Sequence, residues 1–249
     1  MTPRDWDAGR YDRVSDMQLR WGLEVLDRVE LRGDEVVLDA GCGTGKVTAA
    51  IAERVPDGRV IGVDGAPSMI EEARSRLGPD VELIASDLLE LELDEPVDVV
   101  FSNATFHWIE DHDLLFRRLH AALRPGGRLE AQFGGKGNVA ELVQAVRGAA
   151  RSERFAGYLG EVRTPWRFRS EDETVVALEG ARFTDVSAWT ERKTERFDEA
   201  YDLYAVLGHY LDPLPDEMRE EFVNAVIDWM ADPTLREYVR LNVSARRPG

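Results

Sequence analysis

Three aspartates, each closing a short apolar run, are the residues of this chain whose placing suggests chemistry. Asp39 follows Val36-Val37-Leu38, Asp64 follows Arg59-Val60-Ile61-Gly62-Val63, and Asp87 stands just past Val81-Glu82-Leu83-Ile84-Ala85-Ser86. An ionised carboxylate only accepts hydrogen bonds, and it can accept from two hydroxyls at once. Parallel strands that all end in acids set those acids along one sheet edge, where ligands of open α/β sheets bind. Between the first two acids stands Gly41-Cys42-Gly43-Thr44-Gly45, followed by a helical pattern with Val47, Ile51 and Val55 on one side. Glycines have no Cβ, so a strand turning through them into a helix brings backbone N–H groups close to a ligand.

Spacing decides which ligand such a turn serves. The dinucleotide fingerprint G-x-G-x-x-G fails because its sixth position is Lys46 and the third glycine arrives one residue early. The phosphate-binding G-x-x-x-x-G-K-[ST] fails because Ala40 stands where the first Gly belongs and Val47 follows the lysine. What remains is D-x-G-x-G-x-G, with Asp64 about 20 residues beyond the last glycine, the separation at which a βαβ unit brings an acid to a ribose.

This pattern resembles the first motifs of the class I S-adenosylmethionine-dependent methyltransferases. The resemblance implies S-adenosyl-L-methionine as cofactor and S-adenosyl-L-homocysteine as product. It implies that Asp39 and the turn Gly41, Cys42, Gly43 and Gly45 hold the amino acid part, and that Asp64, followed by Gly65, binds the ribose hydroxyls. Asp87 would then accept from the adenine amino group and the Leu88 N–H would meet a ring nitrogen. Met69 is either an adenine neighbour or a core residue, and Cys42 either a space-filler or a reactive thiol. The strand of residues 97–103 ends at Asn103 and leads into Ala104-Thr105-Phe106-His107-Trp108-Ile109, which resembles the family's fourth motif.

Tyr11, Ser15 and Gln18, ahead of the glycine turn, resemble the N-terminal segment of the small-molecule group that includes trans-aconitate and juvenile hormone acid methyltransferases. Within that group the resemblance gives Gln18 and Trp108 as donors to a substrate carboxylate. A carboxylate is already anionic and needs no base; a phenol, alcohol or ammonium acceptor does, and His107 is then the candidate. The expected reaction is O-methylation of a small carboxylic acid by in-line displacement, with Gln18, His107 and Trp108 as catalytic candidates. N-, C- or hydroxyl methylation, and a cofactor-binding protein without turnover, stay open. A dehydrogenase on the same sheet is disfavoured by the glycine spacing. Tyr11, Trp21, Tyr204, His209 and Tyr210 are the substrate-binding candidates.

Composition bounds the rest. The chain has 249 residues, with 31 Lys+Arg against 48 Asp+Glu and a net charge of −17. Such a surface repels phosphate backbones and anionic lipid, so neither nucleic acid nor membrane is an expected partner. One cysteine excludes an intramolecular disulfide, and the charged stretch 1–13 carries no apolar run. A cytoplasmic protein acting on a small molecule is expected, with no metal site in the Cys/His spacing.

The elements that must position these residues follow from periodicity. Residues 1–30 read as an N-terminal helical segment over the active site, its helix capped by Ser15 and running to about Val29. Residues 31–135 read as the cofactor-binding core with five strands. Residues 136–249 complete the sheet and add a helical substrate cap, within one domain overall. In that last part helices are expected over 138–150, 151–160, 171–179, 201–211 and 218–230, and strands over 183–190 and 238–245. The segment 161–169 interleaves arginines with aromatics, either to hold an anion or as a solvated loop. The expected fold is α/β, a doubly wound, seven-stranded Rossmann-like sheet whose last strand is antiparallel.

Overall fold

The computed structural model describes residues 12–197 and 203–249. Its sheet is built from β1 (Val36–Ala40), β2 (Arg59–Asp64), β3 (Glu82–Ala85), β4 (Val97–Asn103), β5 (Leu123–Gly134), β6 (Thr184–Arg196) and β7 (Leu235–Arg246). Their order is β3-β2-β1-β4-β5-β7-β6. The first five run parallel, and β7 is antiparallel to both β5 and β6. The helices in chain order are α1 (Asp12–Leu26), α2 (Lys46–Arg54), α3 (Pro67–Leu77), α4 (His112–Ala122), α5 (Ala140–Ala150), α6 (Ala156–Leu159), α7 (Glu171–Gly180), α8 (Leu203–Leu211) and α9 (Asp216–Asp228). No helix among the described residues is long and apolar enough to cross a membrane.

Local signals set most helix starts. Pro67 opens α3, where its missing N–H is harmless. Asp111 caps α4 by accepting from the Leu114 N–H at 2.8 Å, and Ser170 with Glu173 closes a reciprocal capping box on α7. Strand alternation then divides the core. Leu38, Val63, Val100, Leu129 and Phe133 face α4 and α7, while Val37, Val60, Val99 and Phe101 face α1 and α2. A third cluster joins α5, α8 and α9 around Phe222, Leu207 and Val146. Each fully buried side chain of this size contributes roughly 1.5–3 kcal/mol.

Several sequence-derived boundaries are corrected. Helix α1 is already under way at Asp12, so Ser15 lies inside it, and it ends at Leu26 rather than Val29. Only Ala156–Leu159 of the stretch 151–160 is α-helical. Strand β6 continues to Arg196, far beyond Thr190, because it pairs with β7 as far as Arg196↔Leu235. Its last residues, Glu191-Arg192-Lys193-Thr194-Glu195-Arg196, form a charged edge with no apolar alternation to read. Tyr11 and Tyr201 lie outside the described residues, as does the side chain of Tyr204.

Candidate active site

The glycine turn is folded by its own sequence. The N–H groups of Gly41 and Cys42 both donate to the Val63 carbonyl, at 2.7 and 3.0 Å, pinning the end of β1 to β2. Gly41 has φ +88°, and a Cβ there would lie 2.1 Å from the Thr105 hydroxyl oxygen. The turn and the loop after β4 therefore touch through a site only glycine can fill. At Gly43, with φ +53°, an added Cβ meets no protein atom within 4 Å, and the glycine borders a cavity. Gly45 packs beneath Leu77 and Ala73 of α3, and its N–H donates to the Cys42 carbonyl at 3.0 Å.

A cavity of about 310 Å³ opens over this turn. Asp39, Asp64 and Asp87 all line it, each two residues further out than the last, since Asp39 pairs with Gly62 and Asp64 with Ala85. Asp39 is buried and accepts from the Thr48 hydroxyl at 2.7 Å. Burial pushes its carboxyl up to about 7, against the lowering by Thr48, and nearby Asp64 adds to the rise. Asp64 accepts from the Ala66 and Gly43 N–H groups, each at 2.9 Å, which fixes both oxygens toward the cavity rim. Burial raises its carboxyl too, opposed by those two bonds. Asp87 accepts from the Leu89 N–H at 2.9 Å. Burial, reinforced by Asp39 and Asp64, keeps the Cys42 thiol protonated, so it fills space against Gly62 rather than acting as a nucleophile.

The other half of the cavity comes from far along the chain. Gln18 and Leu19 of α1, Trp108 and Ile109 after β4, Pro165, and Val206 and His209 of α8 all line it. Asn103, at the end of β4, donates to the Gln18 carbonyl at 2.9 Å, and its side-chain oxygen is buried without a partner. Acids, a spare amide acceptor and an open glycine make a cradle rich in acceptors, suited to a ligand that brings donors and positive charge.

The sequence places this cradle among known proteins. A family model described as a methyltransferase domain matches residues 37–127. A trans-aconitate 2-methyltransferase of Methylobacterium radiotolerans is 33% identical in an alignment that covers 89% of this chain and 87% of that protein. The chain belongs to the class I S-adenosylmethionine-dependent methyltransferases. Solved relatives share the fold of this methyltransferase at low identity. The YcgJ protein of Bacillus subtilis superposes with TM-score 0.65 at 16% identity, covering 94% of this chain and 99% of its own. Phosphoethanolamine N-methyltransferase 2 of Haemonchus contortus, solved with S-adenosylhomocysteine, gives 0.60 at 20% identity, covering 92% of this chain and 53% of its own. The methyltransferase uses S-adenosylmethionine, and the acceptor-rich cradle fits that cation with its amino and hydroxyl donors.

Not every candidate residue reaches the cavity. Gly41, Cys42, Gly43, Gly65, Met69, Leu88, Asn103, Gln18, Trp108 and His209 line it. His107 does not; it is buried, its Nδ1 accepts from the Gly134 N–H at 3.2 Å, and burial, with Arg240 and His112 nearby, holds its pKa well below 6.5. A ring so placed packs against β5 and is not presented to the cavity. Trp21 is 2% exposed and stands against Tyr238, behind the cavity. Tyr210 is also buried, edge-on to Trp166, with its phenol pushed up to about 12 by burial. Aromatic residues at helical spacing gave no signal of which face each would take.

Lys46, Thr105, Pro165 and Val206 are lining residues that sequence reasoning passed over. Lys46 had a signal, its place as first residue of the helix after the glycines. Pro165 sits in the arginine and aromatic segment, whose Trp166 stacks on Phe168 at 5.6 Å and meets Trp108 edge-on at 5.7 Å. Arg169 pairs with Asp113, so that arginine serves the loop rather than an anion.

Proposed function

We propose that the methyltransferase transfers a methyl group to the carboxylate of a small organic acid. The observation that carries this reading is that Gln18 and Trp108, remote in sequence, line one cavity with the acid edge while His107 is turned out of it. The relatives named as trans-aconitate 2-methyltransferases support it, since their named substrate is a carboxylic acid. In this reading the Gln18 amide and the Trp108 indole N–H hold the acceptor carboxylate. Leu19, Ile109, Pro165 and Val206 exclude water around it. Asp64 takes the ribose hydroxyls, Asp87 the adenine amine, and Asp39 with the Asn103 side-chain oxygen the cofactor's ammonium end. When bound, S-adenosylmethionine supplies an electrophilic methyl group on sulfur. The chain contributes alignment, which makes the encounter effectively intramolecular. Its dry walls do not over-stabilise the two ions that annihilate charge as they react.

The test is transfer of labelled methyl from S-adenosylmethionine to a panel of acids, including trans-aconitate, phenols and amines. Label that alkali releases as methanol supports an ester; alkali-stable label on nitrogen, carbon or an ether oxygen overturns it. Trp108→Phe removes the indole donor and keeps an aromatic wall. It is expected to lower kcat/KM for the acid by roughly tenfold, about 1.5 kcal/mol for one hydrogen bond to a charged group, with cofactor affinity unchanged in calorimetry.

Asp39 gives cofactor binding a pH dependence. Its carboxyl is neutral below about pH 7 in the folded protein and ionised above about 4 in the unfolded chain. Its neutral form therefore stabilises the fold at low pH, and that contribution is lost as pH rises through 7. A bound cation reverses the preference by favouring the carboxylate. S-adenosylmethionine affinity is expected to fall by up to about tenfold per pH unit below 7, with proton release on binding. Calorimetry in buffers of different ionisation enthalpy measures the proton, and Asp39→Asn should abolish its release.

A further inference from the structure

The helix that carries Gln18 lies on an unusually polar floor. Where β5 and β7 face α1, the residues are Glu130, Gln132, Arg240, Asn242 and Ser244, most of them buried. They are bonded to one another: Gln132 donates to Asn242 at 2.8 Å, Arg240 Nε donates to Gln132 at 3.3 Å, and Ser244 donates to Glu130 at 2.6 Å. Water can replace such bonds when a covering element lifts, whereas it cannot replace apolar contact. The second half of α1, at Val25 and Leu26, is seated in the apolar cluster with Val37 and Phe101, whereas over this floor the seating of its first half is left to a few specific contacts.

Those contacts converge on Trp21, one turn after Gln18. Trp21 is 2% exposed and its ring carries two cations, the Arg240 guanidinium 4.9 Å and the Lys193 ammonium 5.5 Å from its centroid, while Tyr238 meets it edge-on at 5.0 Å. Desolvated cation–π contacts of this type are worth more than exposed ones. Lys193 also pairs with Glu24, and Arg20 with Glu195 at 2.5 Å, so both cations and both flanking pairs tie α1 to the antiparallel strands β6 and β7. On the cavity side, Gly22 lets α1 approach so closely that a Cβ there would lie 2.7 Å from Val47, and Asn103 tethers the Gln18 carbonyl.

We infer that the Arg240–Trp21–Lys193 clamp is the positioning device of the acceptor site: strands β6 and β7 grip Trp21 and thereby seat Gln18 over the methyl acceptor. Trp21 is then a positioning residue acting through Gln18, not a wall of the substrate pocket. The assignment of Gln18 to the acceptor rests on the reading given above, whereas the clamp's hold on α1 stands without it.

Hydrogen exchange of the full chain saturated with S-adenosylhomocysteine tests the clamp without any acceptor. Trp21→Leu keeps apolar bulk but has no π face. It is expected to speed exchange of residues 17–26 at least tenfold, with strands β1 to β4 and S-adenosylhomocysteine affinity changed less than threefold. Trp21→Phe should restore most of the protection. Lys193→Met, which keeps the stem at the cluster's edge, should give about a threefold effect and carries the test if Trp21→Leu does not fold. With an acid that the panel shows to be methylated, Trp21→Leu should raise its KM about tenfold and leave kcat within threefold. Unchanged exchange of 17–26 in Trp21→Leu or in Lys193→Met overturns the clamp. So does loss of protection across the whole sheet with Phe no better than Leu. Faster exchange with an unchanged acceptor KM overturns the link to Gln18, and a panel with no methylated acid overturns the carboxylate reading while the exchange result still decides the clamp.

Discussion

Replacing Asp64 with alanine is expected to weaken S-adenosylhomocysteine binding at least a hundredfold, the largest loss of affinity from any single side chain of the cradle. The two vicinal hydroxyls of a ribose would each donate to this carboxylate, and a hydrogen bond to a charged group is worth about 1.5–3 kcal/mol, so two amount to roughly 3–6 kcal/mol. The loss is compounded because Asp64 also accepts from the N–H groups of Gly43 and Ala66. Without it Gly43 loses its side-chain anchor to the end of β2, while Gly41 and Cys42 stay bonded to the Val63 carbonyl. Both N–H groups lie at the cavity, where water can take the place of the acid, so the fold should survive. Titration calorimetry measures the affinity, and circular dichroism checks the fold. An unchanged dissociation constant in a folded variant would mean that the nucleoside lies elsewhere.

Alanine at Gly41 and at Gly43 should have opposite consequences, although the two glycines are neighbours in one motif. At Gly41 the new Cβ overlaps the Thr105 side chain and sits at φ +88°. The left-handed backbone costs roughly 1–2 kcal/mol and the overpacking a further 1–3 kcal/mol, so Gly41→Ala should lose about 2–5 kcal/mol of stability in urea titration. Thr105→Gly in the same chain should recover the overpacking part alone, a non-additivity that a double-mutant cycle reads directly. Gly43→Ala carries a backbone cost of about 1 kcal/mol and no clash with protein. Its methyl enters the cavity, so it should keep a near-native urea midpoint while losing cofactor affinity tenfold or more. Equal losses of stability in the two variants would remove the distinction between a glycine that the fold needs and one that the ligand needs.

These two positions show how far the chain could be read without its structure. The turn from β1 into α2, the acids Asp39, Asp64 and Asp87, and the order of elements through β5 are set by contacts within a few residues or between successive βα units. Apolar runs, glycines and caps write such contacts locally. Even the family was legible there, in the D-x-G-x-G-x-G spacing and the acid that follows it at Asp64.

Which of His107 and Trp108 faces the cavity was not written that way. The two are adjacent and both aromatic; one ring is buried by Gly134 and Arg240 and the other left at the rim, and only β5 and β7 decide which. Trp21 and Tyr210 are likewise oriented by partners more than 40 residues distant, Tyr238 and Trp166 respectively. Strand β6 was underestimated because its outer half is held by hydrogen bonds to β7, which leave no trace in hydropathy. The sequence alone therefore determined the βα units through β5, the acids along their edge and the family, since those depend on short-range backbone geometry. The half of the cavity facing that edge was decided only by tertiary structure, since α1, the loop at Pro165 and α8 meet there through side-chain packing across the whole chain.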